Sequence, residues 1–219
     1  PNGEYLRSCG CETEKSSASG ANAPRPTPWI YNGVLVPELS CLTPNQILAI
    51  GALVSDFGEG LENYCTATLV ADDVVLTAAH CLQDDWGVPL STDEFFFVIG
   101  DDVMAPTATF DASDFWIHED YNNLDAHHDL GVIVLQTPAS AVVPDIEPLP
   151  VNTDPLDESF VNRVVQNVGY GVTQDDWYNS LRWWTTEPVI EVRDYEFVVF
   201  GNGLSSVCSG DSGGPALYG

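Results

Sequence analysis

The chain is poor in positive charge: six of its 219 residues are Lys or Arg, against 33 Asp or Glu, for a formal net charge of −27. Such a surface repels phosphate backbones and anionic membranes, which excludes nucleic acid as a natural partner and points to high solubility or life in salty water. No stretch approaches the roughly 18 consecutive apolar residues of a membrane-spanning helix, and no internal repeat is visible. Sustained helical periodicity is hard to find. His and Asp occur without the ligand spacing of a zinc site, and the acidic pairs lack the spacing of an EF-hand, so no catalytic metal or other cofactor is expected. Asp72-Asp73, Asp84-Asp85, Asp101-Asp102 and Asp175-Asp176 read as solvated loop carboxylates. The acidic loop from Asp93 to Asp102 leaves structural calcium as an option, because hard cations take carboxylate oxygens.

What is present is enough apolar material, 44% hydrophobic and 11% aromatic, to bury a core of one large domain or two small ones. Six cysteines argue for an oxidising, extracytoplasmic compartment. Cys9 and Cys11 stand in a polar N-terminal stretch, so an N-terminal disulfide or free thiols suit them better than a lipid anchor. From Glu12 to Pro28 the chain is rich in Ser, Ala, Gly and Pro, with Pro24, Pro26 and Pro28 alternating, which sets residues 1–29 apart as a flexible linker or pro-segment. Order is expected from Ile30. Short β-branched and aromatic runs then recur at 47–54, 66–76, 94–99, 131–135, 160–168 and 195–200, punctuated by Gly, Pro, Asp and Asn, the pattern of an all-β sandwich or barrel. His118 and His127 read as surface or loop residues, and the six tryptophans as core or rim.

Two segments carry chemistry. Gly210-Asp211-Ser212-Gly213-Gly214-Pro215 surrounds a serine with glycines, whose backbone turns tightly enough to approach a substrate carbonyl and leaves the amides of Gly210 and Ser212 free to donate to an oxyanion. Leu76-Thr77-Ala78-Ala79-His80-Cys81 supplies an imidazole, the base a serine hydroxyl needs to become a nucleophile near neutral pH.

Together these segments resemble the trypsin/chymotrypsin-like serine proteases. The resemblance implies an aspartate between them, and His127-His128-Asp129-Leu130-Gly131-Val132-Ile133-Val134-Leu135 looks like the family segment that opens a buried strand with it. The order His80, Asp129, Ser212 is that of chymotrypsin and not of subtilisins or α/β-hydrolases, and Gly210-Asp211-Ser212-Gly213-Gly214 is not the G-x-S-x-G elbow. Cys65-Thr66-Ala67-Thr68-Leu69-Val70 is similar to the strand before the histidine, so Cys65 and Cys81 fall where the family has a disulfide; closing 15 intervening residues stabilises by roughly 3 kcal/mol. Ile117-His118-Glu119-Asp120-Tyr121-Asn122 resembles the loop before the aspartate, and Val168-Gly169-Tyr170-Gly171-Val172-Thr173 a strand of the second barrel. The implied fold is two six-stranded Greek-key β-barrels with the triad in the cleft between them, over residues 30–219.

The resemblance implies an endopeptidase in which Ser212 attacks the scissile carbonyl, His80 shuttles the proton and Asp129 holds the imidazole. Ser206, six positions before the nucleophile, would floor the primary pocket; without an aspartate there, cleavage after apolar or aromatic residues is expected. Ile30 resembles the family's activated N-terminus and Asp211 its partner, although Trp29 precedes Ile30 where tryptic activation needs Arg or Lys. Few residues follow Ser212, so the chain is expected to be a piece of a longer protease whose second barrel is incomplete at the C-terminus, with the usual partner of Cys208 outside it. Expected partners are protein or peptide substrates and protease inhibitors, outside the cytoplasm. The alternative is a protease-like module that has lost activity and only recognises proteins.

Overall fold

Apolar side chains on alternate positions of short strands close the first half of the chain into a barrel. The computed structural model describes residues 33–35, 42–56, 61–123, 127–173, 178–194, 196–202 and 205–218. The expectations for residues 1–29, Ile30 and Asp175-Asp176 fall outside the described residues. Strands β1 (Ile50–Asp56), β2 (Leu61–Ala71), β3 (Val74–Thr77), β4 (Phe96–Ile99), β5 (Ala108–Ile117) and β6 (Gly131–Leu135) pair antiparallel in the order β1-β2-β3-β6-β5-β4. β4 returns to β1, with Gly51 opposite Ile99, and so leaves no open edge for another chain to pair with. Inside lie Leu53, Leu69, Val75, Phe97, Phe110 and Ile133, all nearly inaccessible to solvent.

Several expected runs resolve differently, each for a local reason. The stretch 66–76 is two strands, because the chain turns at Asp72-Asp73, where the Asp72 carboxylate accepts from the Ser140 N–H at 2.8 Å and its hydroxyl at 2.7 Å. The stretch 47–54 begins in a short helix, Pro44–Ile47, started by a capping box in which Thr43 and Gln46 satisfy each other's backbone N–H groups. Phe160 ends a 3₁₀ turn ahead of the next strand. β5 escaped the sequence reading because its outward positions are polar; Ala108, Phe110 and Ala112 face in while Thr109, Asp111 and Ser113 face out.

The second half forms a sheet of four strands, β7 (Val164–Gly169), β8 (Trp183–Val192), β9 (Phe197–Val199) and β10 (Ala216–Leu217), in the order β10-β7-β8-β9. The described residues therefore give the second unit four strands where a full barrel has six. The class is all-β, and the helical pieces among the described residues are single turns, none able to cross a membrane.

A buried cation locks the two halves together. The Arg182 side chain is 3% exposed, and its Nη1 donates to the carbonyls of Ile47 at 3.1 Å and Ile50 at 3.0 Å, while Nη2 pairs with Asp101. Tyr170 lies beside it, fully buried, donating its hydroxyl to the carbonyls of Ile50 and Gly100. Burial pushes the phenol up to about 12, against the lowering effect of Arg182. Losing the guanidinium would orphan carbonyls in the interior, a cost of about 3 kcal/mol or more. Arg182→Leu is expected to lower unfolding stability by that order in urea denaturation, whereas Arg193→Leu, which removes an exposed and solvent-screened pair with Glu191 and Glu196, should leave it nearly unchanged.

Candidate active site

The site is assembled on the wall of the first barrel. Thr66, in the middle of β2, is inaccessible to solvent. Its N–H donates to the Ser212 carbonyl at 2.8 Å, and its hydroxyl donates to the Gly210 carbonyl at 2.8 Å while accepting from the Tyr170 N–H at 3.2 Å. One strand residue thus grips the chain on both sides of Asp211. Gly213 lies so close behind that a Cβ there would stand 2.2 Å from Thr77 Oγ1 and 2.4 Å from the Thr66 carbonyl. With φ of +94° at Gly210 and +80° at Gly213, the turn adopts backbone that side-chain-bearing residues avoid. No described residue accepts from the N–H of Gly210 or of Ser212, so both amides remain available.

His80 belongs to a 3₁₀ turn, Ala79–Leu82, tied to β2 by the Cys65–Cys81 disulfide with a Cα–Cα distance of 6.1 Å. Asp129 lies two residues before the start of β6. It reaches His80 because Gly131 leaves room for Leu82; a Cβ there would lie 2.6 Å from Leu82 Cδ1. The His80 N–H donates to Asp129 Oδ1 at 2.9 Å, and Nδ1 meets Oδ2 at 2.7 Å. Burial acts to raise the Asp129 carboxyl, but hydrogen bonds from the His80 ring and backbone, the charge of His80 and the Ala79 N–H more than offset it and hold it below the ordinary aspartate range. Nδ1 is thereby committed to the carboxylate, which leaves Nε2 as the nitrogen for proton transfer.

His80 and Ser212 stand on a ridge between two hollows, one of about 540 Å³ that Asp129 also borders and one of about 920 Å³ that extends over the disulfide. A hydroxyl, an imidazole oriented by a carboxylate and two unengaged N–H groups on one ridge can perform acyl transfer. Ser206 borders neither hollow, and its hydroxyl turns to the Val207 carbonyl at 3.0 Å. Cys208 is a half-buried free thiol among the described residues. His118 and His128 stack with ring centroids 4.8 Å apart.

Asp211 is buried beneath Ser212. The N–H groups of Gly171 at 2.9 Å and Cys208 at 2.8 Å reach its two oxygens, and glycine is required at 171, where a Cβ would stand 2.7 Å from the carboxylate. Burial pushes its carboxyl up to about 6 despite those bonds, with a further rise from the charge of Glu187. Sequence reasoning missed Glu187, a second buried acid on β8, bonded by Asn167 Nδ2 at 2.8 Å and the Gly201 N–H at 3.1 Å. β8 does not read as an apolar run, since Glu187 and Pro188 interrupt it, so the sequence carried no signal that Glu187 is interior. Sequence reasoning also treated Thr66 only as strand, although a hydroxyl in a buried run must find partners.

The stretch from Asp93 to Asp102 is not all loop, since β4 runs through it; its carboxylates engage near neighbours, Asp101 with Arg182, Asp102 with the Met104 N–H at 2.9 Å, and both Asp93 and Glu94 with Ser91, the latter through the Ser91 N–H at 2.5 Å. Among the described residues, the His, Cys, Asp and Glu side chains close enough together to share a metal are Cys65, His80 and Cys81. Two of these are tied up in the disulfide and offer no thiolate.

A closed β-barrel beside a second antiparallel sheet, with His80, Asp129 and Ser212 bordering one hollow, places the chain in the all-β two-barrel fold class. The chain belongs to the trypsin family: a model of the family described as Trypsin matches residues 50–219. It is 26% identical over 167 residues to chymotrypsin-C of Rattus norvegicus and 25% identical over 167 residues to chymotrypsin-C of Mus musculus, in each case over 69% of this chain. It is 28% identical over 171 residues to brachyurin of Leptuca pugilator, over 71% of both chains. The match spans 60% of the length of the chymotrypsin-C proteins.

A raised carboxyl has a definite sign in stability. Between the ordinary aspartate range and about pH 6 the folded chain binds the Asp211 proton more tightly than the unfolded chain, so folding loses up to roughly 3 kcal/mol from this group as pH rises through that window. The stability difference between the wild-type chain and Asp211→Asn is therefore expected to move in favour of the variant from pH 4.5 to pH 7 in denaturant melts. A cation paired with Asp211 would flatten that trend.

Proposed function

We propose that the chain carries the reaction centre of a serine endopeptidase, with Ser212 as nucleophile, His80 as general base and acid, and Asp129 as the residue that orients it. The observation that carries this reading is the paired contact of His80 with Asp129, through ring and backbone at once, on the ridge that also bears Ser212. Ser212 Oγ adds to the scissile carbonyl as His80 Nε2 takes its proton. The oxyanion so formed accepts from the N–H groups of Gly210 and Ser212. Collapse expels the amine, which leaves with the proton from His80, and a water activated by the same imidazole then hydrolyses the acyl-enzyme. The Asp129 carboxylate stabilises the imidazolium in both halves without itself becoming protonated. Asp129 is held below the ordinary aspartate range, so its carboxylate keeps its charge and its hold on the imidazole down into that range.

The substrate class is peptide bonds of proteins, and protein inhibitors of proteases are the natural competitors. Ser206 carries no charge to attract Arg or Lys, which supports cleavage after apolar or aromatic residues. Asp211, buried with N–H donors but no cation among the described residues, suits an amine partner, and a freed N-terminus at Ile30 is the proposed one. A disulfide-linked, strongly acidic chain suits an extracytoplasmic location.

Fluorophosphonate labelling of the full-length, processed protein, with Ser212→Ala as control, tests the assignment. Labelling at Ser212 that vanishes in the variant is expected. A folded protein that takes no label would favour a binding module instead. Asp129→Asn should cost about 10⁴ in kcat, as in the type enzyme of this mechanism, and peptides matched except for Phe, Ala or Arg at the cleaved position should be ranked with Arg last.

A further inference from the structure

Thr66 makes a contact that the pairing of its strand does not require. Its N–H could reach the Ser212 carbonyl whatever the side chain, but its hydroxyl also lies 2.8 Å from the Gly210 carbonyl and 3.2 Å from the Tyr170 nitrogen. The Tyr170 N–H can only donate, so the hydroxyl accepts there and its single proton goes to Gly210. Two glycines clear the space for this arrangement: a Cβ on Gly169 would stand 2.9 Å from Thr66 Oγ1, and one on Gly214 would stand 3.1 Å from the Thr66 methyl. A β-branched side chain held on both branches has little χ1 freedom left. Thr66 is inaccessible to solvent, so bulk water does not compete for the hydroxyl. The strand is braced at the same residue, because the Thr66 carbonyl accepts from the Thr77 hydroxyl at 2.9 Å.

The Gly210 carbonyl meets no other donor among the described residues, and the amide on the other side of the same Cα depends on that tie. A glycine at φ +94° has no Cβ to restrict its torsions, so local sterics alone do not fix where its N–H points. We propose that Thr66 is a positioning residue for the oxyanion: its hydroxyl, by holding the Gly210 carbonyl, fixes the aim of the Gly210 N–H, and so acts on the transition state and not on substrate binding. The inference rests on the endopeptidase reading above, in which that N–H is an oxyanion donor. A donor aimed in advance at the place where charge develops costs no reorganisation when the charge appears. The tie is a hydrogen bond between neutral groups, so it holds the turn whether or not Asp211 beneath it is paired with a cation.

Thr66→Val replaces the hydroxyl by a methyl of similar volume, and Thr66→Ser keeps the hydroxyl. In the full-length, processed protein, with rates on an amide substrate counted per Ser212 titrated by fluorophosphonate, kcat of Thr66→Val is expected to fall about 30-fold at nearly unchanged KM, short of the roughly 10²–10³ that deleting an oxyanion donor costs. Thr66→Ser should restore most of it. A peptide aldehyde and the matching peptide alcohol separate this effect from a general loss of packing. Ser212 Oγ bonds to the aldehyde carbon, the carbonyl π pair moves to its oxygen in the oxyanion site and the hydroxyl proton passes to His80, whereas the alcohol binds with no bond formed. Aldehyde affinity is expected to fall in Thr66→Val in step with kcat, and alcohol affinity to stay at its wild-type value; a purely structural threonine would weaken both alike or neither. Unchanged kcat in Thr66→Val, a loss confined to KM, no rescue by Thr66→Ser, or equal loss for aldehyde and alcohol would overturn the proposal. Should Thr66→Val not fold, the step from Thr66→Ser to Thr66→Ala removes the same hydroxyl with no methyl in its place and is read in the same way. Wild-type protein that takes no label at Ser212 would reject the endopeptidase reading itself, whereas labelled wild type beside an unaffected Thr66→Val would reject only the role of Thr66.

Discussion

The whole site hangs on the buried face of one threonine. Thr66 spends its N–H and hydroxyl on the carbonyls of Ser212 and Gly210, at 2.8 Å each, and its own carbonyl accepts from the Thr77 hydroxyl at 2.9 Å. The turn around Ser212 therefore takes its position from β2 and β3 of the first barrel, although some 144 residues of chain separate Thr66 from Gly210. The disulfide anchors the His80 turn to the neighbouring residue of the same strand. The proposed base and nucleophile are thus referred to one rigid element, and geometry of that kind lowers the entropy lost on reaching a reactive arrangement.

Two buried charges are handled in opposite ways. Arg182 gives its Nη protons to backbone carbonyls and to Asp101, while its Nε has no partner among the described residues, so its desolvation is offset in large part and it ties the first barrel to β8. Asp211 receives N–H donors from Gly171 and Cys208 but no cation from the described residues, and Glu187 adds like charge nearby. The first arrangement stores stability. The second leaves a group that a positive partner would stabilise strongly, directly beneath the turn that holds Ser212, so its ionisation and the order of that turn are coupled.

The acidic balance also takes on location. Spread over a surface, a formal charge of −27 bears on solubility and association with charged partners and not on reaction chemistry. Gathered as Asp84, Asp85, Asp93 and Glu94 around the hollow that His80 and Ser212 also border, part of that charge becomes a local field on one wall of it.

Much of the fold was legible in the sequence. β6 coincides with the run at 131–135 because alternate apolar residues there fill the core, whereas β5 and β8 were missed because a half-exposed strand with Asp111 and Asp114, or one carrying Glu187 and Pro188, does not look apolar. The turn residues Asp72-Asp73 split one expected run into two, a local cue that a count of apolar residues passes over. The motifs around His80, Asp129 and Ser212 pointed to chemistry through residue types whose reactivity is covalent and local. Sequence by itself determined the strand periodicity, the strongly acidic balance and the family motifs, since each is a property of neighbours along the chain. Only tertiary structure decided that Thr66 grips Gly210 and Ser212, that Arg182 is interior, that Asp211 lies buried without a cation among the described residues, and which acids border a hollow with Ser212. Those depend on through-space distance and on the removal of water, and neither is encoded by spacing along the chain.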